Sequence, residues 1–267
     1  MTSQRITSAQ VRQLSRRLLP RDYLILASLR QLRVATARQI ERLWFTEGSP
    51  LSNARMARRT LRRLVKLRVL ARIERPGGGL HGGSPGHVYS LDVAGQRLTD
   101  RAGWHSPRRP YPVSRTFLDH ALAVTEWFVR LMESSHHGGP DLLEFRAEPR
   151  SWRTFTSYAH GQETLKPDAF VLLVTGEWED RWFLEVDRGT EHPPALRRAL
   201  DRYVRYWRSG QEQAASEVFP QVLWIVPDAK RHAVLVDVIG RLPAEAWPLF
   251  RVATEDTALG VLTGGAT

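Results

Sequence analysis

Two short segments hold the side chains best suited to chemistry. Lys166-Pro167-Asp168 precedes an apolar run, and Leu184 leads into Glu185-Val186-Asp187-Arg188-Gly189-Thr190-Glu191. On a β-strand, residues two apart share a face, so Glu185 and Asp187 point together while Leu184 and Val186 point the other way. Asp168 lies 17 residues before Glu185, across an apolar run at 169–174 and a turn at Thr175-Gly176-Glu177. That length fits two adjacent strands, which would gather three carboxylates. Like charges so close repel unless a cation holds them, and hard oxygen ligands suit Mg²⁺ or Mn²⁺.

Other chemistries find less support. The 267 residues include no cysteine, which excludes disulfide scaffolds, Cys-ligated zinc and thiol catalysis. No Gly-x-Ser-x-Gly marks a serine hydrolase. The glycines between Gly77 and Gly86 precede no Gly-Lys-Ser/Thr and so form no P-loop. His120 sits on an apolar helical face and reads as structural, while His136 and His137 read as loop. Asp119 and Glu126 share one face of a helix predicted over 117–132, and Glu126 is a further candidate carboxylate for the cluster.

These residues need elements to position them, and the charge divides the chain first. Residues 1–110 hold 22 Lys and Arg against 6 Asp and Glu, a net +16; residues 111–267 hold 17 against 22, a net −5. An Arg-rich composition explains Arg over Lys but not why acids are missing from one half. A basic module joined to an acidic one points to a nucleic-acid-binding part and a part with another task. The polar start and short apolar runs predict a cytoplasmic protein with no membrane partner.

In the basic part, Pro20-Arg21-Asp22 opens one helical pattern, and Thr36 with Gln39 opens a second through a capping box. A third helix is predicted from about residue 52 to 69. At about 100° per residue, Arg55, Arg58, Arg59, Arg62, Arg63 and Lys66 fall on one side, and Ala57, Leu61, Leu64 and Leu67 on the other. Six cations with no acid among them would repel along the helix, which favours a polyanion partner over a merely solvated face. Two short strands separated by the Gly-rich segment follow, the order of a winged helix-turn-helix whose wing tip is glycine-rich. Such a basic helix suits the major groove of double-stranded DNA. A Pro/Arg-rich spacer at 103–115 then leads to a mixed series of a helix, strands at 142–147, 153–158, 169–174 and 181–187, a helix from about 194 to 206, and a strand at 221–226. On that helix, Arg197, Arg198, Arg202, Arg205 and Arg208 either guide a phosphate backbone or neutralise nearby acids.

Pro167-Asp168 and Glu185-x-Asp187, in the order helix, strands, helix, strand, resemble the PD-(D/E)xK nuclease superfamily. More closely, the arrangement resembles the replication-relaxation family of plasmids and integrative elements. In that family a winged-helix half precedes a half with a Pro-Asp-Ala segment and the signature found here at 185–191. The resemblance covers roughly residues 15–210. It implies an α+β chain: a winged-helix domain at 1–102, the linker 103–115, a nuclease-like domain at 116–253 and a tail at 254–267. It further implies metal binding at Asp168, Glu185, Asp187 and Glu126, with Asp168, Glu185, Asp187 and Lys166 as the catalytic candidates. Asp187 stands where active members usually carry Lys; some restriction-type members place an acid there, and Lys166, two before Asp168, is the other candidate substitute. The implied function is a DNA-binding protein acting in replication, relaxation or transfer, alongside replication or transfer proteins, that nicks DNA with Mg²⁺ or Mn²⁺. Its alternative is a non-enzymatic DNA-binding regulator with a degenerate nuclease fold, in which Glu185 and Asp187 pair with Arg188.

Overall fold

Local capping signals set where the first helices begin. In the computed structural model, which describes residues 6–73, 87–100, 114–157 and 161–264, α1 (Ser8–Ser15) starts with a capping box between Thr7 and Gln10. Pro20 sits in the first turn of α2 (Pro20–Leu32), where its missing N–H costs nothing, and the Asp22 carboxylate accepts the Leu19 N–H at 2.7 Å. After β1 (Ala35–Thr36) comes α3 (Ala37–Trp44), opened by the expected box: Thr36 Oγ1 accepts the Gln39 N–H at 3.1 Å, and Gln39 Oε1 accepts the Thr36 N–H at 2.9 Å. Ser49 caps α4 (Pro50–Lys66), accepting the Ser52 N–H at 3.3 Å.

The chain then forms β2 (Leu70–Ile73) and β3 (Val88–Leu91), antiparallel with Leu70 opposite Leu91, and β1 pairs with the other side of β3. The predicted Gly-rich wing tip lies outside the described residues. Asp92 caps α5 (Val93–Thr99), which packs closely at Gly95, where a Cβ would stand 2.2 Å from the Val69 carbonyl oxygen. Ile25, Leu26, Ile40, Leu61 and Leu64 are buried in one core. Burying each such side chain contributes roughly 2 kcal/mol.

α6 (Arg115–His136) spans the boundary between two compact units, Met1–Val129 and Arg130–Thr267. The first unit therefore extends past residue 102, where the family resemblance ends the winged-helix domain. The start of α6 completes it, with Leu118, Ala121 and Leu122 packing with Val34 and Val88. Thr125 Oγ1 also donates to the Val34 carbonyl at 2.9 Å. Of the expected spacer at 103–115, residues 103–113 lie outside the described residues, and Arg115 begins α6.

The second unit is built on a five-stranded sheet. Its strands are β4 (Asp141–Ala147), then, after the hairpin β5 (Arg153–Ser157) and β6 (Gly161–Leu165), β7 (Ala169–Thr175) and β8 (Trp178–Val186). α7 (Pro193–Arg208) and α8 (Gln211–Ser216) lead to β9 (Gln221–Val226). α9 (Ala229–Gly240) and a short 3-10 helix (Ala244–Leu249) then lead to β10 (Phe250–Thr254), and α10 (Ala258–Leu262) follows. The sheet order is β10-β9-β8-β7-β4. β4, β7 and β8 are antiparallel, whereas β8, β9 and β10 run parallel, so α7 and α9 serve as the crossovers that parallel pairing requires. The expected tail at 254–267 is partly folded, since Ala258 and Leu262 of α10 are buried. Phe183, Leu196, Leu200, Tyr203, Val222 and Trp224 share the core between sheet and helices. Both units mix helices and sheets, as the α+β expectation requires.

Candidate functional site

Helical geometry sorts the α4 side chains as expected, with one exception. Asn53, Ala57, Leu61 and Leu64 are buried, while Arg55, Arg58, Arg59, Arg62 and Lys66 are exposed. Arg63 is the exception. Its Nη2 donates to both oxygens of Asp22, at 2.6 and 2.7 Å, and the Asp22 side chain is only 1% exposed. The six-cation stripe thus has a compensating acid, supplied by α2, and Arg63 belongs to the fold of the unit. Sequence reasoning also missed Asn53, whose amide exchanges hydrogen bonds with Gly48 N–H and C=O at 3.0 and 2.9 Å and pins the entry to α4.

Glu126, expected in the carboxylate cluster, is engaged inside the first unit. Arg42 Nη1 meets its Oε1 at 2.5 Å and Gln39 Nε2 donates to its Oε2 at 3.0 Å, so it braces α3 against α6. Asp119 lies 3.7 Å from Arg115 on its own helix.

In the second unit, strand register gathers two of the three expected carboxylates. Ala169 pairs with Leu184, which sets Asp168 and Glu185 at the next antiparallel position on the face toward α7. Asp168 Oδ2 accepts the Val186 N–H at 2.7 Å. Its backbone is fixed by the Glu148 N–H donating to the Asp168 carbonyl at 3.1 Å, while buried Ser151 donates from Oγ to the Pro167 carbonyl. Glu185 Oε1 accepts a 2.5 Å hydrogen bond from the hydroxyl of Tyr203 on α7, a residue 1% exposed. Burial and then the charge of Asp168 push the Glu185 carboxyl well above the ordinary range, against the opposing effect of the Tyr203 hydrogen bond, with Glu191 and Asp187 adding to the rise. Burial, then the Glu185 charge, pushes the Tyr203 phenol up as well.

Asp187, the third carboxylate, is otherwise committed. Arg231 of α9 contributes Nε to its Oδ2 at 2.5 Å, the Gly189 N–H donates to its Oδ1 at 2.7 Å, and its side chain is 3% exposed. Arg231 also donates from Nη1 to the Glu191 carbonyl at 2.7 Å. Gly189 takes a positive φ of 73° in this loop. The segment 187–191 is thus folded around one guanidinium, and Asp187 pairs with Arg231 rather than with exposed Arg188. Lys166, the expected catalytic candidate, is exposed and holds its Nζ 4.6 Å from the centre of the Trp152 ring. Among the described residues, no group of three or more His, Asp or Glu side chains is arranged to hold a metal ion. Three α7 arginines neutralise acids, Arg197 with Asp201, Arg205 with Glu163 and Arg208 with Glu245. Among the described residues, no helix is long and apolar enough to cross a membrane.

No match was found among curated proteins or among solved structures. Residues 26–222, most of the chain and including most of α2 through the start of β9, match the profile of the replication-relaxation family, and the chain belongs to that family.

Proposed function

We propose that this protein binds double-stranded DNA in the replication or relaxation of a plasmid or other mobile element, with α4 as its principal contact. The observation that carries this reading is the α4 surface, where Arg55, Arg58, Arg59, Arg62 and Lys66 are exposed while Arg63, which pairs with a buried acid, stands apart. The order α2, α3, α4, then the β2–β3 pair, supports a winged helix-turn-helix. Each phosphate neutralised releases counterions, so affinity would fall steeply with salt, with a log–log slope of about −0.9 per neutralised phosphate. Binding of a labelled duplex to the full chain at increasing salt tests this directly.

The element order that begins with the boundary helix α6 and continues in the second unit with strands β4, β7 and β8, helix α7 and strand β9 supports a PD-(D/E)xK-like domain. Its side chains do not fit the metal set that the superfamily implies. Asp187 is ion-paired to Arg231, Glu126 is engaged by Arg42 and Gln39, and Lys166 lies on Trp152. Asp168 and Glu185 remain as a pair in which burial and the Asp168 charge raise the Glu185 carboxyl well above the ordinary range. In this reading the second unit is a degenerate nuclease-like platform that supports DNA binding without cutting. A metal-dependent nickase is the second reading, favoured by the adjacency of Asp168 and Glu185 alone. Nicking of supercoiled plasmid in Mn²⁺, compared between the parent and Asp168→Ala, separates the two.

A further inference from the structure

Two large apolar side chains of α4 are exposed, Leu51 and Met56, and only Leu51 lies on the cationic face. Leu51, in the first turn of the helix, is 71% exposed. At 3.6 residues per turn, Leu51, Arg55, Arg58, Arg59, Arg62 and Lys66 fall within an arc of about 100°, so the leucine lies at the N-terminal end of the cationic face. The core residues Ala57, Leu61 and Leu64 occupy the opposite side. A leucine neutralises no phosphate, and it is placed where a helix entering the major groove from its N-terminus meets base edges first. The 5-methyl group of thymine is the apolar group that the major groove offers. Arg55 stands one turn further along the same face and is long enough to donate two hydrogen bonds to the O6 and N7 of a guanine.

We infer that Leu51 and Arg55 read bases, Leu51 taking a thymine methyl and Arg55 a guanine, while Arg58, Arg62 and Lys66 hold phosphates. This inference rests on the DNA-binding reading of α4 and adds its sequence preference. Four residues of helix rise about 6 Å, which corresponds to about two base-pair steps of roughly 3.4 Å, so the thymine and guanine should lie about two steps apart.

The test uses the full chain and a random duplex library. Sequences retained by the parent protein should share a thymine and a guanine about two steps apart. Replacing that thymine by deoxyuridine, which removes only the methyl, should weaken binding of the parent by about fourfold and leave Leu51→Ala unaffected. Arg55→Ala should lose about tenfold or more of the guanine preference, whereas Arg62→Ala should weaken all duplexes alike. Leu51 is exposed, so its replacement does not compromise the core. Binding with no enriched thymine, or a deoxyuridine penalty undiminished in Leu51→Ala, would overturn the inference while leaving DNA binding in place. Failure of the full chain to retain any duplex would instead overturn the DNA-binding reading itself.

Discussion

Arg63 crosses from α4 to Asp22 of α2, donating from one nitrogen to both carboxylate oxygens at 2.6 and 2.7 Å. The same carboxylate accepts the Leu19 N–H at 2.7 Å, so one buried acid joins the start of α2 to the middle of α4. Two cations adjacent in sequence, Arg62 and Arg63, thereby acquire different roles.

Their stabilities separate those roles. Arg63→Ala leaves the Asp22 carboxylate buried without its cation, and the expected loss is roughly 3 kcal/mol, the lower end of the range for an orphaned buried charge because Arg63 itself is partly exposed. Arg62→Ala is expected to stay within about 0.5 kcal/mol of the parent. Denaturant unfolding followed by circular dichroism measures both, and equal effects would show that the two arginines are equivalent.

A similar contrast holds in the second unit. Arg231→Ala removes the cation paired with Asp187, a side chain 3% exposed, and is expected to lower stability by about 3 to 5 kcal/mol. Arg188→Ala should change it by no more than about 0.5 kcal/mol. A larger loss for Arg188→Ala, measured by the same denaturant unfolding, would return Asp187 to the pairing expected from sequence.

Glu185 gives the unit a dependence on pH. Its carboxyl is held well above an ordinary value near 4.5, so the folded chain binds this proton more tightly than the unfolded chain. Its contribution to stability is complete below about 4.5 and is lost as pH rises toward the folded-state pKa. Glu185→Gln keeps a neutral group of similar size beside Tyr203. The Tm of this variant, relative to the parent, should therefore improve steadily as pH rises above the ordinary carboxyl value. A difference that stays constant with pH would contradict the raised pKa.

Divalent ions test the carboxylate pair. With Asp187 paired to Arg231, the parent and Asp168→Ala are expected to show the same small change in Tm on adding millimolar Mg²⁺ or Mn²⁺. A rise seen in the parent and abolished in Asp168→Ala would establish a cation site. Plasmid nicking that disappears in the same variant would establish the nickase.

What the sequence made legible was local. The capping box at Thr36 and the face of α4 are written in residues a few positions apart, and both form as expected. Asp168 and Glu185 could be placed together because they flank one hairpin, turned at Gly176 with φ 60°. The partners that decide roles come from distant elements. Asp22 is 41 positions from Arg63, and Arg231 is 44 positions from Asp187. Periodicity fixes which face a side chain takes but not which side chain arrives from another helix, so neither pair could be read in advance. Tyr203 gave a weak signal: its spacing with Leu196 and Leu200 places it on the buried face of α7, but nothing local links its hydroxyl to Glu185. The strand Gly161–Leu165 was missed because its residues Gln162, Glu163 and Thr164 carry no apolar alternation, and it is held by pairing to β5. Leu118, Ala121 and Leu122 look like any amphipathic helix in sequence, and only their packing with Val34 and Val88 ties the start of α6 to the first unit.

The role of α4 is tested most directly by the salt dependence of duplex DNA binding by the full chain, compared with a variant in which Arg55, Arg58, Arg59, Arg62 and Lys66 are all alanine and Arg63 is kept. Fluorescence anisotropy over a series of salt concentrations gives the slope of log affinity against log salt for each. The parent's slope should be steeper by about 0.9 for each phosphate that the variant no longer neutralises, about 2.7 for the three held by Arg58, Arg62 and Lys66, with the variant still folded and binding far more weakly. A folded variant that binds duplex DNA with the parent's affinity and slope would contradict the assignment of α4 as the DNA-contacting helix.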